Sequence, residues 1–180
     1  MSKIEKVHAK LLGVVKAYRT ALERYSPRQL QYKPAPDQWS IGQMYSHIIM
    51  SALFFFIDNA EKCLAGHKTG EGQKTRTGTI IFLFGSFPPM RIKMPARLAV
   101  EPHQPKDLQE IREGFDNLFS RLEEVRKKFD DGFDPKKKRQ NPVFGWLNAL
   151  EWWQAMEIHF RHHLRQKARI DKAIRLAKIG

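Results

Sequence analysis

The sequence contains little cysteine and no long hydrophobic run. Cys63 is the one cysteine among 180 residues, so a disulfide framework within the chain is excluded. No apolar run reaches the roughly 18 residues that a membrane-spanning helix needs, and the amino terminus shows no signal-peptide pattern. We therefore expect a cytoplasmic protein with no membrane partner.

Acidic residues are also few compared with basic ones. The 19 Asp and Glu residues face 32 Lys and Arg residues, for a formal net charge of +13. Such a charge favours an anionic partner, which could be nucleic acid, an acidic lipid surface or an anionic small substrate. A solvated basic surface with no specific partner is the alternative, because the basic residues are widely spread. The densest run, Lys136–Arg139, lies among turn signals, which predicts a basic loop and not a nucleic-acid-binding motif.

Apolar residues recur at helical spacing in four long segments. They predict an all-α fold, a four-helix bundle, and 42% hydrophobic residues suffice for one core and one domain over residues 1–180. The predicted helices span about residues 4–25, 40–62 and 105–129, and the last runs from the turn at 141–145 to about 177. Ser40 and Gln43 form a capping-box pattern at the start of the second helix. The run Ile48–Ile57 makes that helix apolar almost all round, so a second chain could cover part of it.

A long segment, Gly66–Gln104, joins the second and third predicted helices. Its many glycines and prolines predict an irregular crossing, in which Thr79–Phe84 could form a short helix. We expect the crossing to cover the open end of the bundle, with Ile80–Phe84 and Phe87 excluding water once a ligand is bound. Its charged residues would attract anions, since the basic ones outnumber the acidic ones: Lys68, Lys74, Arg76, Arg91, Lys93 and Arg97 against Glu71 and Glu101.

Three histidines lie within about one and a half turns of the last predicted helix. His159 and His163 are four residues apart, so their side chains share a helix face about 5–6 Å from each other and could hold one ion. His162 is offset around the helix, and we expect it to be structural or to support the ligands. A third ligand must come from elsewhere, and His47 is the one other histidine in a strongly apolar, helical setting.

The tract Trp39–His47, joined to the late motif His159-x-x-His162-His163-x-x-Gln166, resembles the DinB-like, YfiT-type helical-bundle proteins. In that family a Trp-Ser pair opens the second helix, and a histidine about two turns later is one metal ligand. The first and last histidines of the late motif supply two more. The resemblance covers nearly the whole chain and implies a DinB-like four-helix bundle with His47, His159 and His163 as metal ligands. Gln43 is a departure, because many members carry a carboxylate there, and no acid–base role is carried over to it.

The resemblance also implies a function. Its members include metal-dependent hydrolases and thiol-dependent transferases or isomerases, so the expected substrate is small, such as a low-molecular-weight thiol. Three neutral imidazoles leave a divalent ion an open position, as in catalytic zinc sites, and imidazole suits both zinc and nickel. A homodimer is expected, as in the family. The alternative is a noncatalytic basic module for nucleic acid or another anion, so whether the chain is an enzyme stays open.

The remaining candidate residues have supporting or structural roles. Gln43 and Gln166 lie within about one turn of a histidine and could orient ligands. Cys63 lies about 24 Å from His47 along a straight helix, too far for a fourth ligand. The tryptophans are expected to serve packing. We expect three histidines without partner spacing at the surface: His8, His67 and His103.

Overall fold

Helices make up most of the computed structural model, which describes residues 1–88 and 101–180. In chain order they are α1 (Lys3–Leu22), α2 (Pro27–Gln31), α3 (Ile41–Ser51), α4 (Asp58–Ala65), α5 (Arg76–Phe84), α6 (Leu108–Lys128) and α7 (Ala149–Leu176). A π-helical segment, Ala52–Ile57, joins α3 to α4 without a break. The four long elements are therefore α1, the α3–α4 helix, α6 and α7, as the apolar spacing predicts.

Side-chain caps in the sequence set the starts of the long helices. Ser2, Ser40 and Asn148 each accept a hydrogen bond from the backbone N–H three residues later, whose side chain bonds back to the cap. Asp107 caps α6 in a similar way, because its side chain accepts a hydrogen bond from the Glu110 backbone N–H. The predicted box at Ser40 is present, with Gln43 as its second member. This cap fixes the start of α3 two turns before His47.

The core lies between the four long elements. Helix α7 packs against α1 and the α3–α4 helix, while α6 packs against α3 and α1. The hydroxyl of Tyr18 donates to the carbonyl of Phe160 at 2.9 Å, and that of Tyr45 donates to the carbonyl of Tyr18 at 3.1 Å. These buried hydroxyls are therefore satisfied. The largest fully buried side chains include Trp152, Trp153, Tyr18, Tyr45, Phe115 and Phe160.

The basic run Lys136–Arg139 differs from its predicted loop, because its second half enters a β-hairpin. Strand β1 (Lys138–Asn141) pairs antiparallel with β2 (Gly145–Asn148). The Asn141 side chain accepts hydrogen bonds from two backbone N–H groups of the turn, and Gly145 follows with φ +81°. This turn chemistry reverses the chain and leads into a strand. Helix α7 consequently begins after β2, at Ala149.

The crossing contains more regular structure than predicted. Thr75 caps α5 by accepting a hydrogen bond from the Gly78 N–H at 2.9 Å, so this helix begins at Arg76 instead of Thr79. Before α5, Gly70 and Lys74 form isolated bridges with the hairpin. The remaining predicted cations of the crossing lie outside the described residues: Arg91, Lys93 and Arg97.

The apolar run of the α3–α4 helix is only partly covered by the described residues. Ile48 and Ala52 are fully buried, whereas the side chains of Met50 and Phe54 are 51% and 67% exposed. Within residues 1–88 and 101–180, no helix combines the length and the apolarity that crossing a membrane requires.

Candidate metal centre

Three histidines from two helices meet inside the bundle. His47 comes from α3, and His159 and His163 lie one turn apart on α7. The Nε2 atom of His159 lies 3.2 Å from Nε2 of His47 and 3.1 Å from Nε2 of His163. Among the described residues, these three form the one group of His, Cys, Asp or Glu with ligand atoms all within 4.8 Å of one another. The structure thus brings together the three residues predicted as ligands.

The nitrogen separations fit a single small divalent ion. With zinc–nitrogen bonds of about 2.0–2.1 Å and tetrahedral angles, two ligand nitrogens lie about 3.3 Å apart. The two short separations come close to that value. A hydrogen bond accounts for only one of the two short contacts of His159 Nε2. In an imidazole, Nε2 either donates one proton or accepts one hydrogen bond in the ring plane. A shared ion would contact all three nitrogens at once.

Burial holds the three imidazoles in their neutral form. It lowers the pKa of His47 to about 4, with a smaller contribution from His162. Burial, followed by the proximity of His47, lowers the pKa of His163 to about 3. The pKa of His159 is also well below its ordinary value, again chiefly through burial. Since the neutral imidazole is the form that binds metals, all three side chains are available near neutral pH.

Gln166 sets the tautomer of His163. Its Oε1 atom lies 2.7 Å from Nδ1 of His163. An amide oxygen only accepts hydrogen bonds, so Nδ1 carries the proton and Nε2 keeps its lone pair directed toward the other histidines. The orienting contact predicted for Gln166 is therefore present.

Gln43 is committed to structural contacts instead. Its Oε1 atom accepts from the Ser40 backbone, and its Nε2 group donates to Glu101 Oε1 at 2.8 Å and to the Pro102 carbonyl at 3.2 Å. Both amide protons are thus used, contrary to the prediction that this residue orients a ligand. Its amide fastens the end of the crossing to the start of α3.

Aromatic rings pack against two of the three histidines. The ring centroids of Trp39 and His47 are 4.9 Å apart, and those of Phe56 and His159 are 5.1 Å apart. Phe56 lies in the π-helical segment, whose wider turn changes the direction of the side chains that follow it. Nδ1 of His159 is buried without a polar partner in the described part of the chain. These apolar surroundings are the physical cause of the lowered pKa values.

His162 lies beside the cluster and outside it. Its ring centroid is 5.3 Å from that of His163 and 4.6 Å from that of Phe87. Burial and the positive charges of Arg165 and Arg169 lower the pKa of His162. His162 therefore makes a packing contact with Phe87, and its predicted role, structural or in support of the ligands, stays a prediction.

His8 is buried, so the prediction of a surface position is wrong. Its Nε2 atom lies 3.2 Å from Glu123 Oε1, and its ring stacks on Trp153 with centroids 6.0 Å apart. The signal was its spacing, because His8 precedes Leu11 and Val15 on the buried face of α1. His67 and His103 are exposed, as predicted.

Two further expectations concern the surroundings of the site. Cys63 is buried, with its Sγ atom 3.6 Å from the Leu147 carbonyl, and it does not join the histidines. In α5, the side chains of Ile80, Leu83 and Phe84 are 54–78% exposed, whereas Ile81 is buried. That this segment excludes water once a ligand is bound stays a prediction. Phe87 is buried, and its ring packs against that of His162.

Comparison with known proteins supports this architecture. The crystal structure of TT2238, a four-helix bundle protein, is similar in fold, with a TM-score of 0.56 and 18% sequence identity. The similarity covers 92% of this chain and 98% of that one, which confirms the four-helix bundle. The family profile described as the DinB superfamily matches residues 11–166, and the chain therefore belongs to the DinB superfamily. No curated protein gives a significant match.

Proposed function

We propose that this protein binds one divalent ion, zinc or nickel, through the Nε2 atoms of His47, His159 and His163. The observation that carries the proposal is that His159 Nε2 has two imidazole nitrogens within 3.2 Å, one more than its hydrogen bonding can use. The neutral state of the three rings and the tautomer set by Gln166 further support it.

We further propose that the site acts on a small substrate, as a thiol transferase or a hydrolase. A divalent ion held by three imidazoles lowers the pKa of a water or thiol at its open position. The chain contributes three uncharged ligands, so the double charge of the ion is not neutralised and anionic groups are attracted. Trp39 and Phe56 restrict water around the ligands, which strengthens these electrostatic interactions.

The carboxylates near the site favour the thiol reaction over hydrolysis. Hydrolysis needs a base that takes a proton from the attacking water. Among the described residues, no carboxylate joins the three histidines. Glu157, a buried carboxylate on the same helix, accepts hydrogen bonds from Arg161 through both oxygens. A thiol, which ionises more readily than water, needs no such base.

We also propose that the protein forms a homodimer through the exposed side of the α3–α4 helix. Met50 and Phe54 expose large apolar side chains there, and burying them against a second copy would remove this surface from water. Within the apolar run Ile48–Ile57, the proposed dimer contact is therefore centred on these two residues.

The test of the activity is metal-dependent consumption of a low-molecular-weight thiol with an electrophilic acceptor, run beside panels of esters and amides. The metal-loaded wild type should consume thiol, and His159→Ala should not, whereas the exposed control His67→Ala should match the wild type. Two results together would contradict the proposal: the metal-loaded wild type shows neither activity, and its cobalt-substituted form shows no spectral change on adding thiols or small anions. A salt-sensitive affinity for nucleic acid without bound metal would favour the basic binding module instead.

A further inference from the structure

A small pocket lies beside the histidine cluster, between α7 and the turn that follows α5. It encloses about 40 Å³. A water molecule needs about 10–15 Å³ of such space, so the pocket has room for about three waters or for one small oxyanion. None of the three proposed metal ligands lines it. Its walls are formed by Ser86, Phe87, Ile158, Arg161, His162 and Arg165.

Among the described residues, no carboxylate pairs with Arg165, so this side chain brings a positive charge to the pocket. Its Nη1 group donates to the backbone carbonyls of Phe87 at 3.1 Å and of Pro88 at 3.4 Å. These contacts hold the guanidinium in place without neutralising it, because both acceptors are uncharged. Arg161 differs, since Glu157 accepts two of its hydrogen bonds and the Gly85 carbonyl accepts another. Of the two arginines that line the pocket, Arg165 is therefore the one whose charge no described carboxylate neutralises, and Arg169 adds a further positive charge near His162.

His162 and Ser86 add polar groups to the same walls. Nδ1 of His162 is buried and has no hydrogen-bond partner in the described part of the chain. Because that atom is closed off from solvent, His162 contributes to the pocket wall through the rest of its ring. The His162 ring packs against Phe87, which limits its freedom to turn toward water. Ser86 lies on the opposite segment and offers a hydroxyl.

We propose that this pocket binds a tetrahedral oxyanion, either free phosphate or the terminal phosphate of a larger molecule. The Arg165 guanidinium supplies the charge and a planar set of donors, while His162 and Ser86 supply further hydrogen bonds. Because the donors come from two separate segments, they can bond to more oxygen atoms than the two that a carboxylate offers. This arrangement favours a tetrahedral oxyanion. The net charge of +13 raises the local concentration of anions. This site goes beyond the proposed metal chemistry and does not depend on it.

The experiment titrates the protein with inorganic phosphate and, separately, with methyl phosphate at constant ionic strength, following backbone amide NMR signals. Saturable shifts are expected at Ser86, Phe87 and His162, and they should be the same before and after metal removal by a chelator. A response to both compounds identifies a terminal phosphate as an acceptable ligand, and a response to inorganic phosphate alone identifies the free ion. Either response supports the site.

Two arginine variants test whether Arg165 supplies the positive charge that binds phosphate. Arg165→Gln should weaken phosphate binding by about tenfold or more, as expected for a charge-assisted contact. Arg175→Gln removes the same charge from an exposed position in the last turn of α7 and should leave the affinity within about twofold of the wild type. Equal effects of the two variants would overturn the proposal. So would the absence of saturable shifts, or shifts that vanish with the metal.

Should Arg165→Gln disturb the turn after α5, His162→Gln provides a second variant. It keeps a polar side chain while changing the ring that lines the pocket, and it should also weaken phosphate binding. Circular dichroism establishes that each variant is folded before its affinity is compared. The role of His162 in the pocket would be contradicted if the folded His162→Gln variant bound phosphate as tightly as the wild type and the amide signal of residue 162 in the wild type did not shift.

Discussion

The buried histidines should make the metal-free protein lose stability as pH falls from 7 to 5. The folded-state pKa is about 4 for His47 and about 3 for His163, against an ordinary value of 6.5. The unfolded chain therefore binds more protons than the folded one between these values, and acid favours unfolding. The stability held by the neutral histidines is fully present above about pH 6.5 and is lost toward about pH 4.

The size of the effect follows from the proton uptake of the unfolded state. Between pH 7 and pH 5, one such histidine lowers the free energy of unfolding by about 1.8 kcal/mol. His47 and His163 together account for about 3.6 kcal/mol, and His159 acts in the same direction. Small proteins are stable by about 5–15 kcal/mol in total, so the loss is large enough to measure.

The assay is urea denaturation of chelator-treated protein at several pH values between 7 and 5. His47→Gln should reduce the acid-induced loss by about 1.8 kcal/mol relative to the wild type, because one proton-binding group of the unfolded chain is gone. The control His67→Gln changes an exposed histidine and should leave the pH dependence unchanged. A free energy that stays constant over this range, or an equal loss in His47→Gln and the wild type, would refute the reasoning.

Two further predictions concern the ligands and the assembly. Gln166→Leu should weaken metal binding by about 10–100-fold, because His163 loses the acceptor that sets its tautomer; competition with a chromophoric chelator measures this, and an unchanged affinity would contradict it. Light scattering should give twice the 21.1 kDa mass of one chain at micromolar concentrations, and Phe54→Lys should give the single-chain mass. A wild-type mass of one chain would rule out the dimer.

The helices and the histidine cluster could be predicted because their signals are local or short in range. Capping residues such as Ser40 mark helix starts directly. The i, i+4 spacing of His159 and His163 fixes their common face on α7 whatever the rest of the fold does. Bringing His47 to them depends on how two distant helices pack, and there the family resemblance supplied what spacing could not.

Features that depend on tertiary packing could not be read in the same way. The π-helical segment Ala52–Ile57 looks like ordinary helix in sequence, because its residues carry no signal that separates the wider turn from an α-helical one. The residues around the hairpin at 138–148 are typical of turns, and such residues occur in irregular loops as well as in hairpins, so they did not predict the two strands. The absence of a partnered histidine spacing predicts His8 at the surface, whereas its place before Leu11 and Val15 indicates the buried face; its partner Glu123 is distant in sequence and follows only from the packing of α1 against α6.

The most direct test of the metal site is elemental analysis of protein purified without an affinity tag. The wild type should contain about one zinc or nickel ion per chain, and His47→Ala, His159→Ala and His163→Ala should each lose it. His162→Ala should retain the ion, because its ring lies outside the cluster of Nε2 atoms. Full metal content in any of the first three variants, or loss confined to His162→Ala, would contradict the proposed ligand set.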